Sequence, residues 1–262
     1  MLAHEPGCAN TRYLLRAPEQ ADFIIDPGEG RIEVVVPAAL AQNTLEHLLL
    51  DQALPRLLAG RGHLVAHASV VQLSQGAVAF IGRSGWGKST LAALLHRRGF
   101  PALCDDCALF ERQGDTVYAI PSYPGLRLFE DSIEQSLGTE TLFSPVSDYS
   151  YKQRIIEIGR DAALEGPRPL AAICVLGAPD PAITIPSIAP ISAAAACMAI
   201  IEHGFRLDPS DSTLTARQLA QASAVAHAVS AYALTYPRDF ASQDALVATL
   251  LSRFNASRKD AP

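Results

Sequence analysis

Gly82-Arg83-Ser84-Gly85-Trp86-Gly87-Lys88-Ser89 constrains this chain more than any other stretch. Glycine, four residues, then Gly-Lys-Ser is the Walker A pattern. The run follows the apolar, strand-like segment Gly76–Ile81 and opens a helical stretch from Ser89 to Leu95. Strand, glycine loop and helix in that order give the motif its physical meaning and point to an α/β fold. Glycines let successive backbone N–H groups turn inward around phosphate oxygens, and the following helix aims its positive end at the same anion. In that reading Gly82, Arg83, Ser84, Gly85, Trp86, Gly87, Lys88, Ser89 and Thr90 form the nucleotide-phosphate site. Lys88 reaches the β and γ phosphates of ATP, and the Ser89 hydroxyl holds Mg²⁺. A plain glycine turn between strand and helix is the alternative.

Composition narrows the partners. With 262 residues, 49% hydrophobic and 18% charged, the chain reads as an ordinary globular protein with a sizeable core. A net charge of −6 argues against nucleic acid, whose phosphates need a basic footprint. No apolar run is long enough to span a bilayer, and Met1–Gly7 lacks a basic segment followed by an apolar core. The expectation is a cytoplasmic protein without a membrane partner. Five scattered cysteines do not make a disulfide framework. Cys104 and Cys107 form a C-x-x-C pair, read as small buried hydrophobes because zinc would need two further ligands.

Residues 1–20 carry no periodicity and are expected to fray. Residues 22–26 and 31–36 flank Pro27-Gly28-Glu29-Gly30 as a hairpin. A helix is expected from Asn43 or Thr44, kinked or ended by Pro55, with a second short helix stopping at Gly60. His63–Val71 and Gly76–Ile81 read as strands, and the glycine-loop helix runs to Arg98 with Gly99 as its cap. Strands are expected at 101–104, 107–111, 116–120, 125–129 and 171–176. Residues 139–150 form a candidate mobile loop; 191–203, 215–233 and 239–254 read as helices, and 257–262 as a disordered tail. The domain reading is an N-terminal hairpin and helical extension over 1–60 and a phosphate-binding domain over 61–256.

Two further features flank the loop. His67 lies fifteen residues before Gly82, and Asp106 eighteen after Lys88. If the strand after the loop helix lies beside the loop strand, Asp105-Asp106 shares a sheet edge with the phosphate site, where α/β folds gather ligands. Two adjacent carboxylates there can divide the labour, one serving Mg²⁺ and the other accepting a proton from an attacking hydroxyl. A solvated turn is the alternative for the pair, and a hydrogen-bonded core histidine for His67. Lys152 and Arg154 suit either a cation delivered to a transferring phosphoryl group or a solvated surface strand. Arg127, on a strand near the acidic pair, is balanced between site and structure.

His67-Ala68-Ser69, the Gly82–Ser89 loop, Arg98-Gly99-Phe100 and Asp105-Asp106, in this order, resemble the kinase domain of HPr kinase/phosphorylase over roughly residues 60–130. The resemblance implies the HPr kinase and phosphoenolpyruvate carboxykinase type of P-loop kinase fold, with a small N-terminal α+β extension. It implies Asp106 as the base for a serine hydroxyl, His67 beside it, and Ser89 with Asp105 serving the metal. Lys88 and Arg127 complete the catalytic set. The chain departs from that family at Ser122-Tyr123-Pro124-Gly125-Leu126-Arg127, where an acidic residue before Arg-Gly-Leu-Gly is absent, and at Pro190–Ala194, which replaces Arg-Pro-Gly-Arg-Asn. It is more similar to shorter HPr-kinase-like proteins associated with lasso peptide biosynthesis, which phosphorylate a serine near the C-terminus of a precursor peptide. The function implied is an ATP- and Mg²⁺-dependent kinase acting on a serine of a peptide or small protein, with a homo-oligomer compatible. A small-molecule kinase on the same scaffold and a nucleotide-binding module without catalysis are the alternatives.

Overall fold

The computed structural model describes residues 2–4, 11–36, 39–158 and 166–255. Strands β1 (Leu2–His4), β2 (Tyr13–Ala17), β3 (Ala21–Asp26) and β4 (Arg31–Val35) pair antiparallel in that order. The β3–β4 hairpin falls where expected, with Gly30 at φ 67° and the Glu29 N–H donating to Asp26 Oδ1 at 2.9 Å. Two segments expected to fray, 2–4 and 13–17, are strands instead. In β2, Tyr13 is buried and Leu15 packs with Phe23 and Ile25 of β3. The expected tail over 257–262 lies outside the described residues.

Helix α1 (Gln42–Leu48) continues through a π-turn, Leu49–Ala53, into α2 (Leu54–Gly60). Pro55 therefore does not end the helix. It stands in the first turn of α2, where a missing N–H is tolerated. The π-turn has its own consequence, because Asp51 lies on it and is buried. Such turns recur at functional sites.

The remaining strands are β5 (Leu64–Ala66), β6 (Ala68–Leu73), β7 (Gly76–Ile81), β8 (Ala102–Cys104), β9 (Ala108–Gln113), β10 (Thr116–Ile120), β11 (Leu126–Phe129), β12 (Ser144–Pro145), β13 (Lys152–Ile155), β14 (Arg168–Leu176), β15 (Ser187–Pro190) and β16 (Ser230–Thr235). The helices among them are α3 (Lys88–Arg97), α4 (Glu130–Ser136), α5 (Ala193–Glu202), α6 (Ser212–Ala228) and α7 (Gln243–Phe254). A nine-stranded sheet runs β5-β9-β10-β14-β7-β6-β8, with β16 on β14 and β15 on β16. The parallel pairs are β14 with β7 and β14 with β16. Along β7 the side chains alternate between two cores. Val78 and Phe80 pack with Leu91 and Leu95 of α3 and Leu250 of α7; Ala77, Ala79 and Ile81 pack with Ile200 of α5 and Val225 of α6. The chain is a mixed α/β protein whose central sheet curls.

The curl comes from two strand pairs that change partners at one level. Chain 64–73 runs antiparallel to chain 102–113: β5 pairs with β9, and β6 with β8. Both chains are interrupted between these pairings. The single strand expected over 63–71 thus breaks at His67, whose N–H donates to His203 O at 2.8 Å. Opposite, the chain turns through Asp105 and Asp106.

Other expectations shift. The helix expected over 215–233 stops at Ala228, and 230–235 is β16, buried beside β14; a short apolar run fits a buried strand as well as a helix. The helix expected over 191–203 spans 193–202, and that over 239–254 opens with a 3₁₀ turn and becomes α-helical from Gln243. Residues 139–150 contain β12, paired with β13, and buried Val146 and Ser147, so this segment is anchored. Ile173 is fully buried on β14 between Ala79 and Ala231. Ile173→Ala should cost about 2–5 kcal/mol. Urea unfolding should show a lowered midpoint with an unchanged slope.

Candidate functional site

The glycine loop leaves β7 and enters α3 with Gly85 at φ 80° and Gly87 at φ 91°. A Cβ on Gly87 would stand 2.4 Å from Tyr236 Oη, so conformation and space both require glycine there. Tyr236 Oη and Arg238 Nη1 donate to Trp86 O at 3.0 and 2.5 Å, and Arg238 Nη2 to Gly177 O at 2.7 Å. These bonds pin the loop to the sheet. Lys88 is buried and folds back, Nζ donating to Gly82 O at 2.8 Å and Arg83 O at 3.2 Å. Burial lowers its pKa, while Asp106 and Asp105 act to raise it.

The two strand breaks bring His67 against the acidic pair. Cys107 N–H donates to Asp105 O at 2.8 Å, closing a turn with Asp106 at φ 62°. Left-handed backbone costs a non-glycine residue about 1–2 kcal/mol, less for aspartate with its short polar side chain. The turn directs the two carboxylates to different neighbours. Asp105 is fully buried; Oδ1 accepts from the Ser69 hydroxyl and from Ser89 Oγ at 3.0 Å, and Oδ2 from the Arg127 N–H at 3.0 Å. Asp106 Oδ1 lies 2.6 Å from His67 Nε2, and Oδ2 3.8 Å from Arg127 Nη1.

The electrostatics of the pair diverge. Burial, then the charge of Asp106, raises the Asp105 pKa against the pull of its hydrogen bonds and Arg127. Burial acts on Asp106 in the same sense, but His67, Lys152 and Arg127 outweigh it and hold its carboxyl well below the usual range. Asp106 is therefore the member that its neighbours hold ionised.

Arg127 is 2% exposed. Its Nη2 forms an ion pair with Asp51 Oδ1 at 3.0 Å, and its guanidinium lies 5.0 Å from the Tyr123 ring centroid. Tyr123 Oη also donates to Asp51, and His47 Nδ1 approaches Asp51 Oδ2 to 2.5 Å, off the angle of a hydrogen bond. Burial opposes the charge of Arg127, yet Tyr123 and the carboxylates of Asp51, Asp106 and Asp105 raise its pKa. Nε and Nη1 are buried without a hydrogen-bond partner. A fixed cation with unpartnered donors beside the glycine loop suits an anion.

Three clefts join here. One of about 120 Å³ is lined by Ser84, Gly85, Gly87, Lys88, Ser89 and Thr90 on the loop side and by His67, Asp106, Arg127 and Lys152 opposite. On one flank, about 160 Å³ lies among Leu91, Leu94, Tyr236, Arg238 and Phe240. On the other, about 530 Å³ opens past His67 and Asp106. Gly82, Arg83 and Trp86 do not line the central cleft; the first two lend it carbonyls for Lys88. Arg154 turns to Glu46 at 3.4 Å.

Among the described residues no group of three His, Cys, Asp or Glu side chains is arranged to hold a metal. Ser89 and Asp105 nevertheless offer hard oxygen donors within 3.0 Å of one another, the chemistry Mg²⁺ takes when phosphate and water complete its shell. Cys104 and Cys107 are both buried, and burial pushes the Cys107 thiol up to about 12, as small hydrophobic roles require. No described helix is long and apolar enough to cross a membrane.

The fold gathers His67, Lys88, Ser89, Asp105, Asp106, Arg127 and Lys152, all candidates from the sequence. Asp51, Tyr123, Tyr236 and Arg238 join them without being candidates there. One signal was available: Asp51 closes the run Leu48-Leu49-Leu50, where a lone charge in an apolar helix implies a buried partner.

No protein-family model and no curated protein sequence matches the chain. Among solved structures, the HPr(Ser) kinase/phosphatase from Coxiella burnetii is similar over 72% of this chain and 93% of that one, at 14% identity and a TM-score of 0.37. A likeness of that degree fixes neither the family nor the activity of this protein.

The pKa of Asp106 gives a signed expectation. A carboxylate held below its unfolded value of about 3.9 contributes stability above that pH and loses it as pH falls through the folded value. Asp105, raised in the folded state, acts oppositely and only above about pH 3.9. Between pH 4 and 2, urea midpoints of the native protein should therefore fall faster than those of Asp106→Asn. Parallel curves would show that Asp106 is not held ionised.

Proposed function

We propose that this protein is an ATP- and Mg²⁺-dependent kinase of the HPr kinase and phosphoenolpyruvate carboxykinase type, transferring the γ-phosphate to a serine hydroxyl of a peptide or small protein in the cytoplasm. One observation carries the reading: the ionised Asp106, tied to His67 and facing Arg127, borders the same cleft as Lys88 and Ser89. The order of His67, the glycine loop and Asp105-Asp106 along the chain supports the same assignment.

The apolar flank by Leu91, Leu94 and Phe240, with Arg238 stacked 3.7 Å over Tyr236, suits a nucleoside. The loop N–H groups receive the phosphates, and Lys88 leaves its two carbonyls for their β and γ oxygens. Ser89 and Asp105 would hold Mg²⁺, which when bound neutralises charge on the phosphates. The acceptor oxygen attacks the γ-phosphorus in line, the bond to the β-bridging oxygen breaks, and ADP leaves. Asp106 takes the hydroxyl proton on Oδ2 while His67 Nε2–H holds Oδ1. A carboxylate this acidic accepts late, once the O–P bond has begun to form and the hydroxyl has become acidic. Arg127 Nη1 and Nε stabilise the negative charge spread over the transferred group.

With labelled ATP, Mg²⁺ and serine peptides, label should pass to peptide. Asp106→Asn should lower transfer at least 100-fold, the lower range for general-base catalysis, with nucleotide affinity kept. Lys88→Ala should weaken nucleotide binding tenfold or more, as loss of a charged hydrogen bond does. Full transfer by Asp106→Asn would overturn the assignment. Label only on small hydroxylated metabolites would identify a small-molecule kinase, and binding without transfer a nucleotide module.

A further inference from the structure

The flank beyond Asp106 lies across the central cleft from the apolar flank by Leu91, Leu94 and Phe240, and one of its cations has no carboxylate partner. It opens about 530 Å³ and shares His67, Ser84, Asp106, Phe129 and Lys152 with the central cleft. In-line transfer needs the acceptor on the side of the γ-phosphate away from the leaving group, which is this side. Its two carboxylates are already committed, Asp106 to His67 and Asp51 to Arg127 and Tyr123. Lys152 lines both clefts and acts on the charge of Asp106. Arg56 lines this cleft and not the central one.

Arg56, on α2, is half-buried and makes no ion pair among the described residues. Only Nη1 is occupied, donating to Gln52 O at 2.8 Å and Gln52 Oε1 at 3.0 Å. Its guanidinium lies 5.7 Å from the Phe205 ring centroid. Burial lowers its pKa with no carboxylate to offset it. A cation partly withdrawn from water without an anion costs stability unless a ligand supplies one. Phe205 also stacks on His67 at 6.2 Å, so one ring joins Arg56 to the histidine that holds Asp106. From the Arg56 guanidinium to the His67 ring that wall spans no more than roughly 12 Å, about three residues of extended chain. Tyr149 and Tyr151, exposed at 49% and 90%, supply aromatic surface along the same cleft, as a peptide needs and a small hydroxy acid does not.

We propose that this cleft binds the acceptor as a peptide whose serine hydroxyl meets Asp106 and whose carboxylate, within three residues of that serine, is bound by Arg56. The assignment rests on the kinase reading, and a binding measurement separates the two. Fluorescein-labelled heptapeptides with a central serine are titrated against the full chain by anisotropy without nucleotide. One set carries Glu or Gln at each position from −3 to +3, and another a free or amidated C-terminus, to distinguish side-chain from terminal carboxylates.

An acidic peptide should bind about tenfold more tightly than its neutral counterpart, the effect of one charged hydrogen bond. Arg56→Gln should remove that preference and Arg56→Lys retain part of it, both with unchanged MgATP affinity. Equal affinity for acidic and neutral peptides, no binding by any of them, or a preference that survives Arg56→Gln would overturn the proposal. If the preference holds and no phosphoryl transfer occurs with MgATP, the carboxylate site stands and the kinase reading fails.

Discussion

Two adjacent carboxylates in the interior dominate this structure. Asp105 is fully buried and Asp106 nearly so, and a buried charge without compensation is not tolerated. The surroundings read as that compensation. Two serine hydroxyls and a backbone N–H satisfy Asp105; His67 and Arg127 attend Asp106; Asp51 and Tyr123 in turn anchor Arg127. Removing one partner from such a network strands the others, which typically costs about 3–5 kcal/mol for a buried ion pair. The same network leaves Asp106 ionised and two Arg127 donors open, an arrangement that chemistry can use and stability alone does not require.

Topology delivers the network from distant parts of the chain. Asp51 arrives on a π-turn, His67 at the break between β5 and β6, the acidic pair at the break between β8 and β9, and Arg127 on β11. Because the chains of 64–73 and 102–113 run antiparallel and change partners at one level, their two breaks face each other. The curl of the sheet and the juxtaposition of His67 with Asp106 are one event.

Much of this was legible in the sequence. The glycine loop declared itself through Gly-Lys-Ser after an apolar strand, and Asp105-Asp106 through its distance from Lys88. Strand ends that rest on tertiary pairing were not legible. Nothing in His63–Val71 announces that the strand breaks at His67, since the break depends on the carbonyl of His203, far along the chain. The stretch after Ala228 carries alanine, valine and leucine that suit helix or buried strand, and the open flank of β14 decided for strand. Asp51 escaped because its partner, Arg127, lies on an element that only the fold brings near.

The position of a bound triphosphate decides whether Asp106 faces a phosphoryl group. A crystal structure of the full chain with a non-hydrolysable ATP analogue and Mg²⁺ tests it most directly. The γ-phosphorus should lie between Lys88 Nζ and the unpartnered donors of Arg127, facing Asp106 Oδ2, with Lys88 released from Gly82 O and Arg83 O and the nucleobase beside Phe240. A triphosphate outside the Gly82–Ser89 loop, or a γ-phosphate turned away from Asp106, would contradict it.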